Sequence, residues 1–117
     1  MKRLRILNET RQAALGSRVL WANRAWNRIR GFLMRPKPEK GEGILLSPCK
    51  GVHMYGMKFP LDVLFLSRDG RVVSAFPGLA PGERTPLQKG ARHALELPEG
   101  TIRESGTEVG DVIAWNG

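Results

Sequence analysis

The stretch SPCKGVHMYGMKFPLDVLFL, residues 47–66, holds most of the candidate nucleophiles, bases and metal ligands of this sequence. It contains the only Cys, one of the two His, two of the four Met and an Asp in an otherwise apolar run. Cys49 and His53 would form a nucleophile and its base only within hydrogen-bond distance of each other. Pro48 and Gly51 argue against the helix that would bring them together, and on a strand they would lie roughly 13 Å apart. The spacing therefore disfavours a cysteine hydrolase, although a bend at Gly51 would restore contact.

The same stretch is a weak candidate for a metal site. Cys49, His53 and Met54, together with Met57, are soft or borderline ligands that suit Cu(I), and zinc would use the thiolate and the imidazole. The sequence has no CxxC or HxxxH pattern, and zinc would need His93 to join from another strand. Met on a strand usually packs in the core. We therefore predict no metal and no other cofactor, and we expect Cys49 to be a small buried apolar side chain.

Two carboxylates stand within apolar strand patterns. Asp62 shares strand parity with Leu64 and Leu66, so a regular strand aims it at an apolar face, where it must be hydrogen-bonded or ion-paired. Two interpretations stay open: Asp62 caps backbone amides or pairs with an Arg, or it lies at the floor of a cleft that binds a polar small ligand. Glu96 lies on an alternating strand and either faces solvent or faces Asp62 across a cleft. The second arrangement is the minimum for glycoside hydrolysis.

Three hypotheses of function follow from these residues. The favoured one is a small-ligand binding module for a polar small molecule, with a pocket around the VHMYGMKFPLD strand. Its candidate ligand-binding residues are His53, Tyr55, Met57, Phe59, Asp62 and Glu96. The second is binding of nucleic acid or an acidic partner. The third is a small hydrolase-type enzyme that would use Asp62, Glu96 and His53. No catalytic residue is assigned, and we expect a binding protein rather than an enzyme.

The positive charge is concentrated near the N-terminus. Residues 1–40 contain eleven Lys or Arg and two Glu, a net charge of +9, whereas residues 41–117 carry −1. Such asymmetry is typical of proteins that bind nucleic acid or another anionic partner, and also of a solvated basic face. The candidate residues for anion contacts are Arg24, Arg28, Arg30, Arg35 and Lys37. No groove-reading motif accompanies them, so this hypothesis ranks second.

Length and composition predict one folded domain over residues 1–117. The chain is 41% hydrophobic and 26% charged, which is the balance of a globular protein. No apolar run approaches the roughly 18 residues of a membrane helix, and no apolar stretch of a signal peptide follows the basic N-terminus. A single Cys cannot form an internal disulfide, as is usual in a reducing compartment. We therefore expect a cytoplasmic protein with no membrane partner.

Short strands separated by turn residues dominate the pattern. The strand-like segments are RLRILN (3–8), SRVLWA (17–22), GILLSP (43–48), LDVLFLS (61–67), RVVSAF (71–76), HALELP (93–98) and DVIAW (111–115). Asp69-Gly70 predicts a hairpin turn. Trp26, Ile29 and Leu33 at i, i+3 and i+7 predict one amphipathic helix before Pro36, and a short helical turn is expected near residue 102. The fold class is mainly β (α+β), a compact barrel or sandwich of about six to seven strands with a packed helix.

The order and spacing of six motifs resemble a known family. They are RGFLMRP, EGILLSPC, VHMYGMKFPLDVLFL, DGRVV, LELPEGT and GD. Together they closely resemble the bacterial and archaeal family called domain of unknown function 192, or UPF0127, over roughly residues 15–115. The resemblance implies a compact, mainly β fold with a short helix near the start, and no established activity. Met54 stands where the family usually has Thr, and Gly56 replaces an aromatic residue, so a function that used the Thr hydroxyl would be missing here.

Overall fold

A curled seven-stranded sheet forms the body of the protein. The computed structural model describes residues 3–22 and 36–116. The described elements are β1 (Arg3–Asn8), β2 (Ala13–Ala22), β3 (Glu42–Leu46), β4 (Leu61–Leu66), β5 (Val72–Leu79), β6 (His93–Pro98), α1 (Thr101–Ser105) and β7 (Ile113–Asn116). The strand order is β5-β4-β6-β3-β2-β1-β7, with β2 and β3 parallel and the other neighbours antiparallel. The predicted mainly β class and the short helix near residue 102 are confirmed. The predicted helix before Pro36 lies outside the described residues.

The two edges of the sheet approach each other, which makes the sheet a half-barrel. Arg71 and Val112 form an isolated antiparallel bridge between the segments that precede β5 and β7. The Ile113 amide donates to the Gly70 carbonyl at 2.8 Å, and the Val72 amide donates to the Asp111 carbonyl at 2.9 Å. The Asp69-Gly70 hairpin is confirmed, since β4 and β5 pair as antiparallel neighbours on either side of it. This turn therefore both reverses the chain and closes the curl against β7.

The sheet has two buried faces with different roles. Every strand contributes to the inner face, which forms one apolar cluster with Leu45, Leu64 and Leu95 among its members. The outer face of β3, β4 and β6 forms a second apolar cluster with Ile44, Val63 and Ala94 among its members. All six residues of β4 are buried, as its nearly continuous apolar sequence predicts for a strand covered on both faces. Alternation therefore sends each β4 side chain into one of two separate clusters.

The VHMYGMKFPLD segment is not a strand, contrary to the prediction. Residues 48–60 form a loop, called the covering loop below, whose only strand-like residue is the bridge at His53. Gly56 follows Tyr55 in a turn with φ of 78°, a conformation that suits glycine. The regular strand begins only at Leu61, directly after Pro60, which lacks the amide that a central strand needs. The bulky side chains of this segment predict a strand, but Gly56 and Pro60 favour a loop.

Strand ends also differ from the predicted ones. β2 begins at Ala13 rather than Ser17, since its earlier part pairs with β1 across a tight connection. β5 continues through Pro77 to Leu79. β5 is the first strand of the sheet, and an edge strand tolerates proline because one side of it needs no amide donor. Within residues 3–22 and 36–116, no helix has both the length and the apolar composition to cross a membrane.

Candidate functional site

The covering loop is fixed by hydrogen bonds to the second long loop, residues 80–92. The Met54 amide donates to the Glu83 carbonyl at 2.7 Å and the Thr85 amide donates to the Val52 carbonyl at 2.9 Å. The Thr85 hydroxyl accepts a further bond from the Val52 amide at 3.1 Å. The two loops thus form an irregular ribbon, and the covering loop lies over the outer face of the sheet.

The side chains of the covering loop point in different directions. Met54 is 1% exposed and belongs to the outer-face cluster, and Met57 and Phe59 are half-buried against the same cluster. His53 is exposed, and its ring stacks on that of Tyr55 with centroids 4.7 Å apart. The predicted pocket residues therefore separate into an apolar pair that packs against the sheet and an aromatic pair on the solvent side.

Cys49 and His53 make different contacts, and no hydrogen bond between them occurs among the described residues. The Cys49 thiol donates to the Gly51 carbonyl at 3.2 Å, whereas His53 stacks on a neighbouring ring. Met54 points into the outer-face cluster. No group of three or more His, Cys, Asp or Glu side chains with metal-site geometry occurs among the described residues. Cys49 is half-buried against the same cluster, in keeping with a packing role.

Asp62 has a structural explanation. It is 1% exposed on the inner side of β4, the side to which Leu64 and Leu66 also project. Its Oδ1 accepts a hydrogen bond from the Gly78 amide at 2.8 Å, and its Oδ2 accepts from the Gly100 and Ile102 amides at 3.1 and 2.8 Å. Of the two interpretations, the capping of backbone amides is confirmed. Asp62 fixes the start of α1 and joins it to β5.

Glu96 lies at the centre of the outer face. Its direct cross-strand partners are Ile44 on β3 and Val63 on β4. The row continues to Leu20 on β2 and Phe76 on β5. The next row of the same face is Ala22, Leu46, Ala94, Phe65 and Ser74. A single carboxylate is therefore surrounded by apolar side chains of five strands.

The Glu96 carboxylate has no compensating group in the described part of the chain. Glu96 is only 6% exposed, no hydrogen bond or ion pair to its side chain occurs there, and its carboxylate oxygens are not fully enclosed. Burial raises its pKa from 4.5 to about 7. The interpretation that Glu96 faces solvent is wrong. The interpretation that it faces Asp62 is also wrong, because Asp62 pairs with Leu97 and shares the inner face. Asp62, Glu96 and His53 thus do not converge as a hydrolase site.

Ser47 and His93 form a buried polar pair that the sequence did not indicate. The Ser47 hydroxyl and His93 Nδ1 share a hydrogen bond of 2.7 Å, and the two residues are 5% and 7% exposed. The imidazole lies near the rings of Trp21 and Trp115, at centroid distances of 6.3 and 5.1 Å. Burial lowers the pKa of His93, and a hydrogen bond with the Arg68 backbone acts in the opposite direction. The two residues are 46 positions apart, and no local spacing signals their contact.

The basic candidates are only partly within the described residues. Lys37 is exposed, whereas Arg24, Arg28, Arg30 and Arg35 lie outside the described segments. Three Arg outside this candidate set are exposed on β1 and β2, namely Arg3, Arg5 and Arg18. Both ion pairs found among the described residues belong to Arg11. The strand arginines therefore keep their charge free of carboxylate partners in this part of the chain.

Comparison with known proteins gives the family. The DUF192 family, described as "Uncharacterized ACR", matches residues 6–115. A UPF0127 protein of Thermococcus kodakarensis is 32% identical over 115 residues, covering 94% of this chain and 72% of the relative. A UPF0127 protein of Thermococcus sibiricus is 28% identical, covering 94% of this chain and 73% of the relative.

Solved structures share the fold. A protein of unknown function from Novosphingobium aromaticivorans superimposes with a TM-score of 0.82 at 20% identity, covering 97% of this chain and 84% of that one. A Sinorhizobium meliloti protein described as a candidate transcription regulator superimposes with a TM-score of 0.79 at 24% identity, covering 97% and 92%. These likenesses confirm the curled sheet, and the family match extends over nearly all of the sequence. The chain belongs to the uncharacterised DUF192, or UPF0127, family.

Proposed function

We propose that the protein binds a small organic ligand at the outer face of the sheet, between β3, β4 and β6 and the covering loop. The observation that carries the proposal is Glu96, a buried carboxylate without a described partner at the centre of two apolar rows. Binding sites for small molecules combine apolar walls with a few placed polar groups. The outer face has this composition.

The energetics of Glu96 favour recognition over folding as its role. A pKa raised from 4.5 to about 7 means that the ionised side chain costs roughly 3 kcal/mol at alkaline pH. An apolar residue between Ile44 and Val63 would avoid this cost. Residues that oppose stability without a compensating contact are typical of functional sites. A second polar atom on the same face, the Ser74 hydroxyl, is buried without a hydrogen-bond partner among the described residues.

The covering loop supplies adaptable apolar walls. Met57 and Phe59 are half-buried against the outer face, and the loop turns at Tyr55-Gly56. Met side chains are flexible and adjust to ligands of different shape. The exposed His53–Tyr55 ring pair lies on the solvent side of the same loop. The predicted pocket residues other than Asp62 are therefore still candidates for ligand contact, whereas Asp62 has a structural role.

The test is a thermal-shift screen of a fragment library, followed by titration of the hits. A ligand at about 100 times its Kd should stabilise the protein by roughly 2.7 kcal/mol. We expect the stabilisation to be lost in Glu96→Gln and Phe59→Ala and kept in Glu39→Gln, since Glu39 is exposed. A screen without hits, or hits that bind Glu96→Gln and Phe59→Ala as tightly as the wild type, would contradict the proposal.

A second candidate function is the binding of an anionic polymer. Arg3, Arg5 and Arg18 on β1 and β2 are exposed, and the Arg18 guanidinium donates to the Lys40 carbonyl at 3.2 Å. This places Arg18 next to residues 36–40, which include Lys37. The description of the Sinorhizobium meliloti neighbour as a candidate regulator of transcription is in keeping with this role.

Fluorescence anisotropy with a labelled single-stranded oligonucleotide distinguishes this second candidate. The logarithm of the affinity should fall with the logarithm of the salt concentration, with a slope of about −0.7 per phosphate contacted. Replacing Arg3, Arg5 and Arg18 by Gln should make that slope shallower. Replacing the exposed Lys50, Lys89 and Arg92 on the two loops is the matched control. Binding that ignores salt, or an equal effect of both triple variants, would count against it.

A further inference from the structure

We propose that the ligand of the outer face is a small organic cation, a primary amine on an apolar body, whose ammonium group donates hydrogen bonds to the Glu96 carboxylate. The inference rests on the proposed function, because it assigns the ligand class of the same site. It follows from the hydrogen-bond acceptors that the outer face offers and from the positive charge that it lacks.

An ionised carboxylate offers hydrogen-bond acceptors only. The outer-face neighbours of Glu96 across the strands and along its own strand are Ile44, Val63 and Ala94, none of which has a side-chain donor. The Glu96 carboxylate oxygens are therefore available to accept hydrogen bonds from a ligand or from water. An ammonium group matches them with three donors and the opposite charge. An anionic ligand would bring two negative charges together in apolar surroundings.

The surroundings define the rest of the ligand. Met57, Phe59 and Phe76 are half-buried against the outer face and supply accessible apolar contact area beside it. An apolar body attached to the amine would pack against these side chains. An aromatic or branched aliphatic group of one ring or less is in keeping with this contact area.

The charged groups near the face leave Glu96 uncompensated. The outer sides of β4 and β5 present no charged residue within the described segments. Arg18 on β2 and Glu42 on β3 are register neighbours in the row beyond that of Glu96, and Arg3 on β1 lies opposite Leu20 at the far end of the Glu96 row. The covering loop carries Lys50, His53 and Lys58, all exposed. A cationic ligand would thus supply the missing charge.

The test uses matched probes that share one body and differ in the polar group. Benzylamine, benzyl alcohol and benzoate are titrated calorimetrically into the full chain, together with the cyclohexylmethyl and n-hexyl sets. Within a set we expect the amine to bind at least about tenfold more tightly than the alcohol, as for a charge-assisted hydrogen bond, and the acid to bind most weakly. Glu96→Gln should remove the preference for the amine, and Glu39→Gln should keep it.

The pH dependence gives a second readout. Because the amine binds the ionised carboxylate and stays protonated itself, its affinity should rise about tenfold per pH unit up to about pH 7 and then level off. Alcohol or acid affinities equal to those of the amine, or an amine preference that survives Glu96→Gln, would overturn the inference. Fragment hits that all lack a basic nitrogen would overturn the inference but leave the proposed function standing. A fragment screen without any hit would instead remove the proposed function.

Discussion

At the scale of single residues, two buried carboxylates on neighbouring strands have opposite situations. Asp62 accepts hydrogen bonds from three backbone amides on the inner side of β4. Glu96 on β6 is held among apolar side chains without a described partner. Residue type alone does not separate them, because both are acids in apolar strand patterns. The face toward which each projects does.

Glu96→Gln should remove a pH-dependent loss of stability. Because the folded pKa is about 7 and the ordinary value is 4.5, the wild type keeps its full stability below pH 4.5 and loses it as the pH rises to about 7. The difference in unfolding free energy between Glu96→Gln and wild type should grow by roughly 3 kcal/mol between pH 4.5 and pH 8. Urea denaturation at several pH values measures it.

The paired difference is needed because His93 acts in the other direction. Burial lowers the pKa of His93, so its contribution is present above pH 6.5 and is lost in acid. That contribution cancels between wild type and Glu96→Gln, and Glu39→Gln serves as the exposed control. A Gln variant less stable than the wild type at pH 8 would mean that a cation elsewhere in the chain pairs with Glu96.

Asp62→Asn should destabilise the fold and not act through a ligand. The amide group would place an N–H₂ donor against the backbone N–H groups of Gly78, Gly100 or Ile102, and at least one bond to a charged acceptor would be lost. We expect a loss of about 3 kcal/mol in unfolding free energy, measured in urea without added ligand. Asp69→Asn is the matched control, since Asp69 is exposed in a turn, and should change stability by less than about 0.5 kcal/mol. Equal effects of the two substitutions would contradict the capping role.

At the scale of elements, α1 and the β4–β5 turn are stabilised by contacts with other parts of the chain. α1 has five residues, too few for a helix to be stable alone. Asp62 accepts a hydrogen bond from the Ile102 amide in the first turn of α1, and the Ile102 side chain packs in the inner cluster. The β4–β5 turn likewise depends on β7, whose Ile113 carbonyl lies against Gly70. Removal of such a contact should affect the curl of the sheet as well as the turn.

Gly70→Ala should be far more destabilising than Gly82→Ala. Both glycines have positive φ, at 92° and 86°, so each alanine carries a similar backbone strain of about 1 kcal/mol. A Cβ on Gly70 would lie 2.2 Å from the Ile113 carbonyl oxygen, whereas a Cβ on Gly82 would meet nothing within 4 Å. The excess loss at Gly70, about 2 kcal/mol or more, measures the contact between the β4–β5 turn and β7. Thermal or urea unfolding of the two variants gives this excess, and equal losses would refute the close approach.

At the scale of the whole molecule, a polar network joins the two ends of the chain. Asn8 is fully buried and donates to the Asp111 carboxylate at 2.9 Å and to the Thr107 hydroxyl at 3.0 Å. The Arg11 guanidinium also donates to Asp111, at 2.8 Å, and the Glu108 amide does so at 3.0 Å. Asp111 serves the turn before β7, as ordinary Gly-Asp turn chemistry predicts. It also ties that turn to the end of β1.

Acid should weaken this connection. The hydrogen bonds from Arg11 and Asn8 lower the pKa of Asp111 from 3.8 to about 2. A lowered folded pKa means that the stabilisation is fully present above about pH 4 and is lost as the pH falls toward 2. In Arg11→Gln the pKa of Asp111 should move back toward 3.8, as read from an NMR titration of its carboxyl carbon. Arg5→Gln, an exposed arginine on β1, is the control, and an unchanged Asp111 pKa in Arg11→Gln would contradict the assignment.

Local sequence patterns were sufficient to predict most of the strands and the side of β4 to which Asp62 projects. Alternation indicated β1 and β6, a nearly continuous apolar run indicated β4, and Asp69-Gly70 indicated the hairpin. The parity of Asp62 with Leu64 and Leu66 placed it on an apolar face, and left open whether it capped backbone amides, paired with an Arg or bound a ligand. These features depend on neighbours along the chain, so their physical causes are present in short segments. The motif order likewise indicated the family over nearly the whole length.

What covers each face of the sheet depends on contacts between segments that are distant in sequence. The alternating pattern leaves Glu96 either facing solvent or facing Asp62, and neither is the case. It is buried because the neighbouring strands β3 and β4, which are distant in sequence, lie on either side of it. The VHMYGMKFPLD segment reads as a strand, yet its amides bond to a loop some 30 residues later in the chain. Ser47 meets His93 across 46 positions. Strand pairing between distant segments sets these contacts, and it is invisible to any pattern read along the chain.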